Sequence, residues 1–270
     1  MTQGGWRLVG ASVRGTSHDE SGAPCQDASD SRVVVTPTGE AVLTAAVSDG
    51  AGSATRAEEG ARIACATILE SLEGYLSSGG RLGHLSKDDA IDWIELIGQR
   101  IADRAEAEGQ TPRDFAATLL AVAVDAEYAL CMQIGDGAIV LGNGEEYLPV
   151  FWPQNGEYAN MTYFVTDRRA AEQLQFTTLA GPIADVALLS DGLQMLALRY
   201  NTREAHVPFF QPMFARLRAE AEGESQQLAS ALAEFLGSKP VNDRTNDDKT
   251  LLLATRPLPA AMEEAIAESL

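Results

Sequence analysis

Residues 41–53 read Ala41-Val42-Leu43-Thr44-Ala45-Ala46-Val47-Ser48-Asp49-Gly50-Ala51-Gly52-Ser53. An apolar run climbs from Ala41 to Val47 and stops at a carboxylate; glycines follow, and a helical pattern begins at Ala54. Such a run reads as a buried strand, and the glycines free the backbone to turn sharply behind Asp49. The device recurs at Ala187-Leu188-Leu189-Ser190-Asp191-Gly192, again with a helical pattern behind it. Two buried strands that each bring an aspartate to an end predict that the aspartates meet and hold a cation.

Outward from these stretches the chain falls into blocks. Trp6 to Arg14 reads as a strand, and Gly15 to Ala28 as a polar, turn-rich loop. Arg32 to Thr36 and Ala41 to Ser48 form a hairpin about Thr36-Pro37-Thr38-Gly39. Ala54 to Leu76 is a helix, with Ala61, Ala64, Ile68, Leu72 and Tyr75 on one face. Ser86 and Asp89 make a capping box for a second helix that ends at Gly109–Pro112. Phe115–Val124, Tyr128–Ile134 and Ala138–Leu141 are strands, Asn143-Gly144 is a hairpin signal, and Tyr147–Phe151 is a short strand. Trp152 to Thr166 is an aromatic-rich loop. Phe176–Ala180 and Val186–Ser190 are strands, and Leu193–Tyr200, Pro208–Glu222 and Ser225–Leu236 are helices. Gly237–Asn246 is a polar loop, Thr250–Ala254 the last buried strand, and Ala260–Leu270 an amphipathic tail helix in a tail from about residue 258. Strands, helices, strands, helices and one closing strand do not alternate as a doubly wound sheet does. The expected fold is therefore α+β: two stacked antiparallel β-sheets with helices on both outer faces, an α/β/β/α sandwich. Nothing divides the 270 residues by composition or repeat, so one domain over 1–270 is expected.

Twenty basic against 39 acidic residues give a net charge of −19. Nucleic-acid binding depends on neutralising phosphates, so nucleic acid is excluded as an expected partner. An acidic protein that handles an anion needs local positive charge, which bound divalent cations supply. No run reaches the length of a membrane span, and Met1 to Gly5 carries no signal-peptide pattern. Cys25, Cys65 and Cys131 are odd in number and scattered, which fits neither a zinc site nor a disulfide framework. A cytoplasmic setting is expected, and the oligomeric state is left open.

Asp49, Asp136, Asp191 and Asp247 all stand at ends of apolar runs, the last in Asn246-Asp247-Asp248-Lys249-Thr250. Carboxylates, backbone carbonyls and water suit hard divalent cations, and without a His or Cys cluster Mg2+ or Mn2+ is favoured over zinc. Gly50 lets its own carbonyl approach a metal. Asp-Gly is also the strongest two-residue hairpin turn, so Asp136, flanked by strands, reads equally as a turn. For Asp49 and Asp191 the competing role is a helix N-cap.

This set, in this order, resembles the metal-dependent protein phosphatases of the PPM type, the type-2C serine/threonine phosphatases. The likeness covers roughly Arg7 to Thr255 and rests on Cys25-Gln26-Asp27, Asp49-Gly50, Ala116-Ala117-Thr118, Gly135-Asp136, Ser190-Asp191-Gly192 and Asp247-Asp248-Lys249-Thr250. It implies two metal ions and a weaker third. Asp49 would bridge two ions with help from the Gly50 carbonyl, Asp191 and Asp247 would complete the first site, and Asp136 would stand near the third. Asp27 would hold a metal-bound water or support the site from behind the metal ligands, and Thr118 would be structural. Two cations about 4 Å apart sharing a water would lower its pKa, and the resulting hydroxide would attack a phosphoserine or phosphothreonine ester without a covalent intermediate. Phosphorylated protein is then the expected substrate.

The sequence departs from that pattern in the first motif. The family usually has Glu where Gln26 stands, and an amide cannot supply a carboxylate's charge, so weaker binding of the second ion is expected. The family's phosphate-gripping arginine falls at Gly22. Arg14, ending the strand before this loop, is the first substitute and Arg56 the second, although either also reads as a surface arginine. His18 is the candidate general acid, with an incidental loop histidine as the competing reading. Two other functions remain open: a catalytically weak or inactive binding module that keeps the fold, and a phosphatase of small phosphate esters.

Overall fold

A computed structural model describes residues 5–19, 22–154 and 162–257. The chain opens with β1 (Arg7–Val13), passes a 3-10 turn at Thr16–His18 and forms the hairpin β2 (Ala28–Val35) and β3 (Ala41–Ser48). Helices α1 (Ala57–Ser77) and α2 (Lys87–Ala107) follow, then β4 (Leu119–Val124), β5 (Tyr128–Ile134), β6 (Ala138–Gly142) and β7 (Tyr147–Pro149). Next come α3 (Ala170–Gln173), β8 (Gln175–Ala180), β9 (Asp185–Leu189), α4 (Gln194–Ala197), β10 (Leu198–Arg199) and β11 (Glu204–Ala205). The chain continues through α5 (Val207–Arg218), β12 (Gly223–Glu224), α6 (Gln226–Leu236), α7 (Lys239–Asn242) and β13 (Lys249–Thr255).

Six strands pair in the order β12-β1-β13-β9-β6-β7 and five in the order β2-β3-β4-β5-β8, while β10 and β11 pair with each other. The pairings are antiparallel except at one edge, where the two residues of β12 run parallel to β1. Alternation along the strands sorts side chains into three apolar layers. Leu43, Ala45 and Val47 of β3 meet Leu188 of β9 and Leu252 of β13 between the sheets. Val42 and Ala46 face the other way, onto Ile68 and Leu72 of α1 and Ile94 and Ile97 of α2. Leu189 and Leu251 point to the far side, onto Phe210 and Phe214 of α5. The expected α/β/β/α order of layers is what forms.

Several boundaries differ from the expectation, each for a local reason. The first helix starts at Ala57, not Ala54, because the preceding residues close a turn: the Ala54 N–H bonds to the Ala51 carbonyl at 2.8 Å and the Arg56 N–H to the Asp114 carbonyl at 2.7 Å. The apolar stretch from Phe115 enters its strand only at Leu119. Pro112–Phe115 form a 3-10 turn with a Thr111–Asp114 capping box, and the residues after it bond to the Asp49 turn. The stretch expected as one helix from Leu193 to Tyr200 is four helical residues followed by the β10–β11 hairpin, where Leu198 and Ala205 reach the α5-side core as a cross-strand pair. The Gly237–Asn246 loop holds the single turn α7, with proline in its first turn. The capping box forms as expected: Ser86 Oγ accepts the Asp89 N–H at 3.2 Å and Asp89 Oδ2 accepts the Ser86 N–H at 2.9 Å. The expected tail helix lies outside the described residues.

Candidate active site

The register explains why separated aspartates share a neighbourhood. In β9, Leu189 pairs with Ala138 of β6 and with Leu251 of β13. Asp191, Asp136 and Asp247–Asp248 therefore leave one end of three adjacent strands. In the other sheet Ser48 pairs with Ala28, so Asp49 and Asp27 leave the same end. The ends coincide, and an open cleft of about 200 Å3 lies between them, lined by Asp49, Asp136, Asp191, Asp247, Asp248 and Gln26 together with Gly50 and Thr118. Among the described residues no Lys, Arg or His belongs to this lining. A larger cavity of about 420 Å3 lies at the opposite end of the sandwich. Two of its carboxylates are already engaged: Glu40 accepts the Ala126 N–H, and Asp125 accepts the N–H groups of Glu127 and Tyr128.

The acidic cleft is built by close backbone approach. The Asp49 N–H donates to Thr118 Oγ1 at 2.9 Å, the Thr118 N–H donates back to the Asp49 carbonyl at 2.8 Å, and Ser48 Oγ donates to the Thr118 carbonyl at 2.6 Å. Thr118 thus fixes the turn that presents Asp49, which is the structural role expected of it. Gly192 is required by contact: a Cβ there would stand 2.0 Å from the Asp248 carbonyl oxygen. Ser190 ties the sheets together. Its Oγ donates to Asp27 Oδ2 at 2.7 Å and accepts the Thr250 N–H at 2.9 Å. Asp136 sits after Gly135, whose φ is +107°, so it occupies a turn and also lines the cleft. Its Oδ2 accepts from Thr162 Oγ1 at 2.6 Å.

Burial raises the carboxylates' proton affinity, and their mutual repulsion adds to it. Asp49 is pushed well above the ordinary range, first by burial and then by Asp27 and Asp191. Asp191 is pushed to about 7 by burial and then Asp136, and Asp27 to about 6 by burial, with a smaller push from Asp248. Asp27 Oδ1 and Asp191 Oδ1 are buried without a hydrogen-bond partner among the described residues. Unmatched buried oxygens, crowded acids and an all-oxygen donor set fit a hard divalent cation. Among the described residues no three His, Cys, Asp or Glu side chains stand close enough together, as placed, to hold a metal ion; the acids surround an open cleft.

The flanking candidates stand elsewhere. Arg14 is exposed, pairs with Asp19 at 2.8 Å and is absent from the cleft lining. Arg56 belongs to a surface network with Glu59 and Glu108 and lies over the Phe115 ring. His18 faces the buried Asp248, with Nδ1 3.3 Å from Oδ1, and also does not line the cleft. Gln26 does line it, and brings a neutral amide among the acids. Burial pushes the Cys25 thiol up to about 12 and raises Cys65 and Cys131 as well, so none supplies a thiolate.

Sequence reasoning missed Asp248. The residue is 3% exposed, and its two carboxylate oxygens accept the N–H groups of Gly15 and Gln26, each at 2.6 Å. It thereby pins both ends of the Gly15–Asp27 loop, while its exposed neighbour Asp247 lines the cleft. The adjacent Asp-Asp pair was the available signal, but it does not say which member turns inward. Gln194 and Thr162, which hold the Asp136 turn, carried no signal at all.

Residues 14–237 match the family described as Protein phosphatase 2C. The chain is 41% identical over 251 residues to "Serine/threonine-protein phosphatase 3" of Escherichia coli (strain K12), covering 92% of this chain and 98% of that one. Among solved structures, the S. agalactiae serine/threonine phosphatase superposes with a TM-score of 0.62 at 14% identity, covering 93% of this chain and 99% of that one. Serine/threonine phosphatase Stp1 from Staphylococcus aureus gives 0.60 at 13%, covering 92% and 94%. At such identities these two likenesses establish the shared fold.

Proposed function

The chain belongs to the protein phosphatase 2C family, and from that premise we propose that it hydrolyses phosphoserine and phosphothreonine in proteins, with Mg2+ or Mn2+ as resident metal. The observation that carries this reading is the convergence of Asp49, Asp136, Asp191 and Asp247 on one cleft, whose lining among the described residues has no basic side chain. A divalent cation, when bound there, supplies Lewis-acid charge that offsets the phosphate oxygens and readies water for attack.

The chain's own residues prepare the rest. Asp49 and Asp191 would be the principal ligands, with the Gly50 carbonyl and Asp247 at the rim. Asp136, steadied by Thr162, would serve an outer and weaker site. Asp27 is buried behind the cleft and does not line it; held through one oxygen by Ser190, it would support the ligands from beneath. Arg14 and His18 do not line the cleft, so neither is assigned the phosphate or the leaving alkoxide; His18 is placed with Asp248 as part of the loop's support. The cleft volume of about 200 Å3 is below the range of pockets that engulf small ligands. That favours a residue presented on a polypeptide over a free small ester.

The test is hydrolysis of an aryl phosphate with and without Mn2+, beside Asp191→Asn. Manganese-dependent turnover lost in the folded variant is the expected result. A folded wild type inactive with either metal would overturn it and leave a phosphatase-like binding module, the reading that Gln26 favours.

A further inference from the structure

Two glutamines clamp the turn that carries Asp136, and each brings an aromatic ring with it. The Gly135 N–H donates to Gln154 Oε1 at 2.9 Å, and Gln154 Nε2 donates on to the Gln173 carbonyl at 2.8 Å. From the other side Gln194 Nε2 donates to the Asp136 carbonyl, and Gln194 Oε1 accepts from the Tyr200 hydroxyl. Trp152, two residues before Gln154, meets Tyr200 edge to face, with centroids 5.1 Å apart and planes at 81°. An aromatic corner therefore stands beside the acidic cleft, joined to it through the Asp136 turn. It is not closed over: Tyr200 remains 43% exposed. Asp136 and Asp191 are near enough that, after burial, their charges help hold the Tyr200 hydroxyl protonated.

We propose that the Trp152–Tyr200 corner binds an arginine or lysine side chain flanking the phosphorylated residue of a protein substrate. This rests on the phosphatase reading above. The rings themselves select a cation: aromatic faces attract guanidinium and ammonium groups, Trp and Tyr most strongly. The net charge of −19 adds long-range attraction for basic peptides. Arg199, beside Tyr200, directs its Nε to His206 Nδ1 at 3.1 Å. Gln194 bonds both the Asp136 carbonyl and the Tyr200 hydroxyl, which would set the rings beside a peptide seated in the cleft.

The test compares phosphoserine peptides that differ only in flanking residues: Arg, Lys, Leu or Glu at positions one to four on either side. The wild type is expected to favour an Arg-flanked peptide over its Leu counterpart in kcat/KM by about 5-fold or more, with the advantage shrinking as salt rises. Tyr200→Leu should bring that ratio close to one, and Tyr200→Phe, which keeps the ring, should retain most of it. A wild type that prefers Leu, or shows no preference, overturns the inference without any variant. So does a ratio that survives in Tyr200→Leu. Hydrolysis of aryl phosphate without flank discrimination overturns this inference alone; absence of all hydrolysis overturns the phosphatase reading and this inference with it.

Discussion

Replacing Asp248 should unfasten the Gly15–Asp27 loop more than it alters the acidic cleft. The buried carboxylate accepts two backbone N–H bonds of 2.6 Å, from Gly15 and Gln26, and faces His18. Hydrogen bonds to a charged group contribute about 1.5–3 kcal/mol each, and donors left buried add a further cost. Against this, Asp248→Ala relieves part of the repulsion that Asp248 exerts on Asp27. The balance is a loss of about 3–4 kcal/mol, or ~6–16 °C in Tm at the ~2–4 °C per kcal/mol of chains somewhat smaller than this one. Asp248→Asn keeps one acceptor and turns an amide N–H toward the other donor, so it should lose about half as much. Thermal unfolding of the chelated protein measures both effects apart from metal binding. A shift below about 2 °C for Asp248→Ala would refute the assignment of this carboxylate as the loop's anchor. An Asn variant less stable than the Ala variant would refute the accounting of the two acceptors.

Three further outcomes are expected. Gly192→Ala drives a methyl to 2.0 Å from the Asp248 carbonyl oxygen, backbone against backbone, so it should destabilise by about 3 kcal/mol or more; urea unfolding would show whether the site tolerates it. Mn2+ added to chelated protein should raise Tm by ~5–10 °C at a hundredfold excess over Kd, and Asp191→Asn should lose most of that rise. The Ser86 hydroxyl and N–H hold the Asp89 carboxyl below the ordinary aspartate value of 3.8. A depressed folded value means that the stabilisation is fully present above pH 3.8 and disappears as pH falls through the lower folded value. Asp89→Ala should therefore cost stability in urea at pH 7 and progressively less below pH 3.8.

Asp49, Asp136, Asp191 and the Asp247–Asp248 pair were legible because each interrupts an apolar run, and a carboxylate there marks where a buried strand meets solvent. The order of blocks gave the layers for a similar reason: strands without intervening helices must pair with neighbours. Boundaries were less legible. Phe115 and Ala116 are as apolar as the strand they precede, and only the bonds between the Asp49 turn and residues 116–118 keep them out of it. Arg14 looked suited to grip phosphate because of its place before the loop, yet Asp19 holds its guanidinium.

By itself the sequence determined which residue types end the strands, that hard cations suit them, and that two antiparallel sheets would be covered by helices. These follow from local periodicity and side-chain chemistry, which act over a few residues. Tertiary structure alone decided that Asp248 turns inward while Asp247 meets the cleft, that Ser190 bridges to Asp27, and that Trp152 and Tyr200 form a corner beside Asp136. Each of these depends on strand register and sheet stacking. Register is set by the whole pattern of buried faces, and a shift of one residue would turn every side chain to the opposite side.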